Sequence, residues 1–500
     1  MFEFSPFPAL AVKTHPIENS PRLRPFPGRL LLPRGAATGQ GSIVPASDIA
    51  MNRILLPLLL SALLALGAPG ATPPNIIFIM ADDQGYADLG CYGSKHIVTP
   101  NIDRMAKEGL LFTDCYSGSA VCAPTRCVLM TGLHPGHCKR RDNTATGNLE
   151  VFKKLDRRPL VFLDKEDVTV AGQLKEAGYA TGGFGKWGLG NPGSEGVPEK
   201  QGFDLWFGYY DQVHAHTYYT DHLIRNSRKV PLDGKTYSHS LIIEEAFSFI
   251  EKNAREKKPF FAYFAVCPPH GKYVVPDQGV YKDKPWSNTV KNFAAMCTLL
   301  DTNVGDLMKL LSKLGIDDNT IVFYTSDNGP NKPFLEPLES NKPFRGTKRQ
   351  LTEGGLRCPM VVRWPGKIKA GTTSSLAWTH KDFFATACEL AGANLPARSD
   401  SISVLPTLLG KEQPPLQNLY WEIHHPFQQA VRTGKWKGIR FGTKAPLKLY
   451  DLSTDPAEKN DLAAKHPKVV RDVEALMGQE HSPSKFYPPS EKPKAGRKRK

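Results

Sequence analysis

An α/β fold is what the sequence predicts: a large, mostly parallel sheet flanked by helices, then a smaller C-terminal α+β domain with an antiparallel sheet. Three observations carry this. From about Asn75 to Pro396, short unbroken apolar runs alternate with amphipathic helical patterns, as strands buried on both faces and wrapped by helices require. Past about Ala397 the pattern changes to short strands of antiparallel character. And 500 residues, 40% hydrophobic and 23% charged, suit one large folded domain with a small companion. That composition excludes a mainly disordered chain, a collagen-like repeat and a polytopic membrane protein. The expected division is a body over 72–396, a small domain over 397–480 and a basic, disordered tail over 481–500.

The start of the chain is read differently. Met51 to Ala71 has a positive residue, Arg53, then an apolar stretch of thirteen residues from Ile54 to Leu66, then the small-residue segment Gly67 to Ala71. This is the signal-peptide pattern, and its apolar run is too short to span a bilayer comfortably. Residues 1–50 are rich in Pro, Arg and Gly without periodicity. Translation is therefore expected to begin at Met51, with 1–50 a non-native extension. The mature protein is expected in the periplasm or outside the cell, without a stable membrane anchor, where disulfides are permissible.

Within the body, Asn75–Met80 (NIIFIM) reads as the first buried strand. Thr99 precedes a helical pattern in TPNIDRMAKEGL, as a cap. Gly178–Phe184 and Pro259–Val266 are further strands. Val290–Gly315 is a long amphipathic helix, and Thr320–Thr325 and Pro359–Trp364 are buried strands. Leu419–His424, Gln429–Thr433, Trp436–Phe441 and Leu447–Asp451 form the small sheet, with a helix from about His466 to Met477. The net charge of +15 is uneven, the last sixteen residues carrying +6 and residues 54–484 also +6. No basic face with aromatic platforms appears on the body, so nucleic acid is not an expected partner.

Chemistry concentrates where strands end. NIIFIM runs into Asp82-Asp83, and TIVFYT runs into Ser326-Asp327-Asn328-Gly329. Ligands of such sheets sit outside the carboxyl ends of the strands. Three carboxylates and an amide gathered there would repel without a cation, and hard oxygen donors suit Ca²⁺ or Mg²⁺. Singly such pairs also make turns; their joint position favours a cation site. In VCAPTRCVLMTG, Pro124 suits a first helical position, putting Cys122 at a helix N-terminus beside Arg126. That reads as an activated cysteine, an anion site or a buried structural thiol.

At this point the sequence resembles the sulfatase family. Cys122-Ala-Pro-Thr-Arg126, four residues, then Thr131-Gly132 looks like the family's modification signature. Gly178 to Trp187 (GYATGGFGKW) resembles its second signature, and Arg345-Gly-Thr-Lys348 with Glu353-Gly-Gly355 a segment carrying another active-site lysine. The resemblance runs from about Asn75 to Met477. It implies an alkaline-phosphatase-like architecture and an arylsulfatase-type enzyme hydrolysing sulfate monoesters. It further implies that a formylglycine-generating enzyme oxidises Cys122 to formylglycine, whose hydrate attacks sulfur and later expels sulfate. By the same resemblance Asp82, Asp83, Asp327 and Asn328, with the modified Cys122, hold one divalent ion per chain, Ca²⁺ rather than Mg²⁺. Arg126, Lys186 and Lys348 meet the charge on the transferred group, and His270 contacts sulfate or protonates the leaving oxygen.

One departure stands out. Many members of the family have His after the Lys-Trp pair, where this chain has Gly188. His214, His216 and His134 are candidates to fill that role, the first two also for substrate binding, with Tyr218-Tyr219 as possible pocket walls. Cys267 and His270 also suggest a cysteine protease, which the intervening prolines and the lack of a supporting acid exclude. Eight cysteines besides Cys122 permit disulfides and pair none. The competing functions are a phosphonate monoester or phosphodiester hydrolase on the same nucleophile and metal, and a silent binder of sulfated glycans. The expected substrate is a sulfated small molecule or glycan.

Overall fold

The computed structural model describes residues 73–145, 160–416 and 418–489. The expected signal peptide over 51–71 lies outside them. Why β1 (Asn75–Ala81) is a central strand follows from its side chains, all seven of which are buried. Ile76, Phe78 and Met80 enter the core on one face of the sheet, Ile77, Ile79 and Ala81 that on the other. β1 lies between β8 (Phe260–Ala265) and β9 (Thr320–Ser326), parallel to both. β4 (Ala180–Lys186) continues beyond β8 and is followed by β5 (Leu205–Tyr209), again parallel. Ten strands share this sheet, and the remainder include antiparallel neighbours: β10 (Met360–Arg363) runs against β9, and the β6–β7 hairpin (His222–Arg225, Arg228–Pro231) closes the far edge. The mostly parallel architecture matches the expectation.

Helices cover both faces. On one side lie α1 (Pro100–Glu108), α4 (Ser238–Arg255) and α5 (Asn288–Lys313), whose apolar residues join the cluster around Ile77 and Ile79. On the other lie α2 (Cys122–Thr131), α3 (Val170–Glu176) and α6 (Asp382–Ala391), around Phe78. Thr99 precedes α1 as expected but does not cap it with its side chain. The carboxylate of Asp301, two hundred residues on, accepts from Asn101 and Ile102 N–H at 2.9 and 2.7 Å instead. The α5 N-cap is local, with Ser287 Oγ accepting from Val290 N–H. α2 stops at Gly132, whose φ of 67° is the left-handed C-terminal turn that glycine adopts freely.

The C-terminal strands β13 (Leu419–His424), β14 (Phe427–Thr433), β15 (Trp436–Phe441) and β16 (Lys448–Asp451) form a separate antiparallel sheet in sequence order. α7 (Pro467–Gln479) packs Val473 and Met477 on one face of it. Its other face, through Trp421, Ile423, Ala430 and Ile439, meets Ala120, Val121, Leu351 and Leu356. This sheet therefore buttresses the segments on either side of Cys122 and Lys348. Two expected boundaries shift. Val404, Leu405 and Leu408 belong to the core of the large sheet, so the small sheet has its own residues only from Leu419, not from 397. Residues 481–489 are not a loose tail: Tyr487 is fully buried, with its hydroxyl on the Asp142 carbonyl, and Ser482 N–H bonds Gly136 O. All nine cysteines are free thiols.

Candidate active site

Parallel pairing makes the site. Ala81 pairs with Ser326, so the residues that follow, Asp82-Asp83 and Asp327-Asn328, leave the same edge of the sheet side by side. Asp327 N–H donates to Ala81 O, and Asp83 N–H to Asp327 Oδ1, both at 3.0 Å. Asp83 holds a left-handed φ of 67°, a conformation unusual for a side-chain-bearing residue and here pinned by these bonds. Lys186 ends β4, and His270 follows β8 through Cys267-Pro268-Pro269. Cys122 opens α2, with Pro124 third in the helix rather than first.

These groups converge. Cys122 Sγ lies 3.3 Å from Asp82 Oδ1, 4.0 Å from Asp83 Oδ1 and 3.2 Å from Lys348 Nζ. Lys186 Nζ meets Asp82 Oδ2 at 2.5 Å, and Lys348 Nζ bonds Asp83 Oδ1. Arg126 Nη2 sits 3.4 Å from Asp82 and 3.5 Å from Asp327, while its Nη1 donates to the Lys186 carbonyl at 2.8 Å. His270 Nε2 faces Asp83 Oδ2 at 3.2 Å. Every residue expected at the centre is therefore brought there: Asp82, Asp83, Cys122, Arg126, Lys186, His270, Asp327, Asn328 and Lys348.

The charges are more balanced than the repulsion argument assumed, since three cations stand among the three carboxylates. Burial acts to raise the Asp82 carboxyl, but Lys186, His270, Arg126 and Lys348 together hold it well below the ordinary range. Burial and the Asp82 charge push Asp327 up to about 7. Burial, with Asp327 and Asp82, pushes the Cys122 thiol up, so the unmodified side chain is not an activated nucleophile. Burial, ahead of the Lys348 charge, pushes the His270 imidazole well below its ordinary value. Two oxygens nonetheless lack a hydrogen bond although buried, Asp327 Oδ2 and Asn328 Oδ1. Oxygen donors of this kind, beside Asp82 and Asp83, fit a hard divalent cation.

Cys122, His270 and Lys348 of the centre line a cavity of about 710 Å³. His216 lines it, stacked on His270 with ring centroids 4.0 Å apart, and burial ahead of the Lys186 charge lowers its pKa to about 2. His214 is not brought there; its Nε2 bonds Thr220 Oγ1 at 2.7 Å. His134 is engaged elsewhere, with Glu480 and Asp400. Tyr218 supports His270 from behind through its carbonyl, and the tyrosines on the cavity wall are Tyr210 and Tyr273. Gly188 has no room for a side chain, because a Cβ would stand 2.7 Å from Gln212 Cγ. Gln212 thus fills the space next to Gly188, and sequence reasoning missed it. It also missed Asn331, whose Nδ2 donates to Asp83 Oδ2 at 2.5 Å. The signal available was its place in the same strand-end loop, three residues past Asn328.

The family model described as Sulfatase matches residues 74–393, and that described as N-sulphoglucosamine sulphohydrolase, C-terminal, matches 346–481. The chain is 36% identical to human N-acetylgalactosamine-6-sulfatase, over 83% of this chain and 87% of that one. It is 32% identical to N-acetylgalactosamine-6-O-sulfatase of Bacteroides thetaiotaomicron, over 81% and 92%. Among solved structures, Ps i-CgsB in complex with k-i-k-neocarrahexaose superimposes with a TM-score of 0.74 at 29% identity, covering 83% of this chain and 95% of that one.

Proposed function

The chain belongs to the sulfatase family of sulfuric ester hydrolases, and on that premise we propose that it removes sulfate from sulfated sugars, using a formylglycine made from Cys122 beside a bound divalent ion. The observation that carries the reading is the meeting of Cys122 with three carboxylates and three cations, beside a cavity that Cys122, His270 and Lys348 line. Relatives whose names specify sulfated N-acetylgalactosamine favour a sugar over a simple aryl ester. The cavity volume of about 710 Å³ suits a sugar unit.

Asp82, Asp83, Asp327 and Asn328 would hold the ion, with calcium rather than magnesium as the family resemblance implies. When bound, the ion orients a sulfate oxygen and stabilises its charge. The formylglycine supplies, as its hydrate, the hydroxyl that attacks sulfur. Arg126, fixed by the Lys186 carbonyl, and Lys186 and Lys348 neutralise charge on the transferred group without reorganising. His270, whose Nδ1 has no hydrogen-bond partner among the described residues, would contact the sulfate group of the substrate. His216, stacked against it, would take the role of the histidine that many family members have where this chain has Gly188. The implied partners are the formylglycine-generating enzyme and the sulfated substrate. Export by the segment 51–71 and a catalytic body distinct from the C-terminal sheet complete the proposal.

The test is sulfate release by the chain from Thr72 onward, made in a host that converts Cys122. Its substrates are a 6-sulfated N-acetylgalactosamine, an aryl sulfate and a matched phosphonate ester. Release from the sugar that disappears in Cys122→Ala, and after chelation until calcium is restored, is expected. Conversion of Cys122 with turnover only of the phosphonate would overturn the reading; binding of the sugar without turnover would indicate the silent binder.

A further inference from the structure

The charged groups on the cavity wall are matched, with one exception. Arg140 gives its guanidinium to the carbonyls of Asp142, Asn143, Val161 and Gly188. Asp211 accepts from the N–H groups of Val213 and His214. Lys348 is taken by Asp83 and Cys122. Arg349, the next residue, lines the same cavity with an exposed side chain that has no hydrogen bond, ion pair or ring contact to any described residue.

Its backbone is the opposite of free. Arg349 N–H donates to Ala120 O at 2.8 Å, and its carbonyl accepts from Gln428 Nε2 at 3.0 Å. Between those anchors φ is 73°, in the left-handed region that glycine enters freely and arginine does not. An unfavourable conformation held in place under an unpartnered cation, beside a substrate cavity, is strain of the kind that functional residues keep. The pinning also fixes the Arg349 backbone beside that of Lys348, since adjacent Cα atoms are about 3.8 Å apart.

We infer that Arg349 is a specificity-determining residue that recognises a second anionic group of the substrate, carried on the same or the adjoining sugar unit as the sulfate ester that is cleaved. The planar guanidinium fork takes a sulfate or a carboxylate in two parallel hydrogen bonds. This rests on the proposed sugar-sulfatase function and extends it to substrates of at least two negative charges.

Three disaccharides test it: one with a single sulfate, one with a second sulfate, and one with a uronate carboxylate. Equilibrium affinity and kcat/KM are measured for the full wild-type chain, Arg349→Gly and Arg349→Lys. Glycine suits the backbone angle, so Arg349→Gly is expected to melt no lower than wild type. Its affinity for at least one doubly charged sugar is expected to fall about 10- to 100-fold. That fall should exceed the one for the singly sulfated sugar by about tenfold or more, with Arg349→Lys intermediate. Which doubly charged sugar depends on Arg349 identifies the second group. Equal losses on all three sugars, or a loss under about threefold on both doubly charged ones, overturns the inference. Failure of the wild type to release sulfate from any of them would count against the sulfatase function instead, while the affinities would still decide Arg349.

Discussion

Lys437 on β15 is fully buried, and its ammonium bridges two buried carboxylates, Glu353 at 2.7 Å and Glu458 at 3.1 Å. Glu353 is also held by Tyr116 OH at 2.8 Å and Arg357 at 3.3 Å, and its own N–H donates to Glu458 Oε2 at 2.9 Å. The group fastens the C-terminal sheet to the segment that carries Lys348. Lys437→Met keeps much of the stem and removes the charge, leaving two carboxylates facing each other without their shared cation. Removing one partner of a buried pair costs about 3–5 kcal/mol. Unfolding entropy of about 2.1 cal/mol/K per residue over roughly 400 folded residues converts this to a fall in Tm of about 4–6 °C. The fall depends on pH. Burial acts to raise the Glu353 carboxyl, but Lys437, then Arg357 and Arg432, outweigh it and hold it below its usual 4.5. A depressed folded pKa stabilises above the unfolded value and loses that effect as pH drops through the folded one. The deficit of Lys437→Met should therefore be complete near neutral pH and shrink as the pH goes below the ordinary glutamate value. Differential scanning fluorimetry across this range reads it, and Lys437→Met/Glu353→Gln should recover part of the loss. A deficit below about 1 °C, or one indifferent to pH, would refute the argument that this buried cation holds the two parts together.

Other expectations are direct. Arg126→Ala removes the group that spans Asp82 and Asp327, and should lower kcat for sulfate release by about 100- to 1000-fold; a loss under about tenfold would contradict its role. Gly188→His should be destabilised by its φ of 81° and by collision with Gln212, and Gln212→Ala in the same chain should relieve the collision alone, which a double-mutant cycle of melting temperatures would show as non-additivity. Asp301→Ala leaves the α1 N-terminus without its acceptor, an expected loss of about 2–3 kcal/mol seen in urea unfolding. Truncation after Glu480 removes the buried Tyr487 and should lower Tm; an unchanged value would mean that the 481–489 segment contributes no packing energy.

Much of the fold was legible because its strands carry their own signal. A run such as NIIFIM has no polar face, so it needs partners on both sides, and helical spacing between such runs supplies them. The central site was legible for a related reason: parallel strands end at one edge, and the residues ending them were acidic. What escaped lacked a residue-type signature. His214 and His216 flank one residue of a tight turn, yet only His216 reaches the cavity, because three residues of 3₁₀ helix turn the two rings to different neighbours. Gln212 and Asn331 are neutral amides of a common kind. The segment 481–489 reads as the start of the basic tail that follows it, while its hold on the body comes from the buried Tyr487 and from Ser482.

The sequence by itself determined which segments must be buried, that acidic and amide groups follow two of them, and that Cys122 opens a helix beside Arg126. Those are local properties, set by side-chain polarity and spacing along a few residues. Tertiary structure alone decided that β1, β4, β8 and β9 lie side by side, so that Lys186 and His270 meet Asp82 and Asp83. It also decided that three cations offset the three carboxylates, that the C-terminal sheet braces the Cys122 and Lys348 segments, and that the Arg349 side chain is left without a partner among the described residues. These contacts join residues far apart in the chain, and their energies depend on distance and burial that no local pattern encodes.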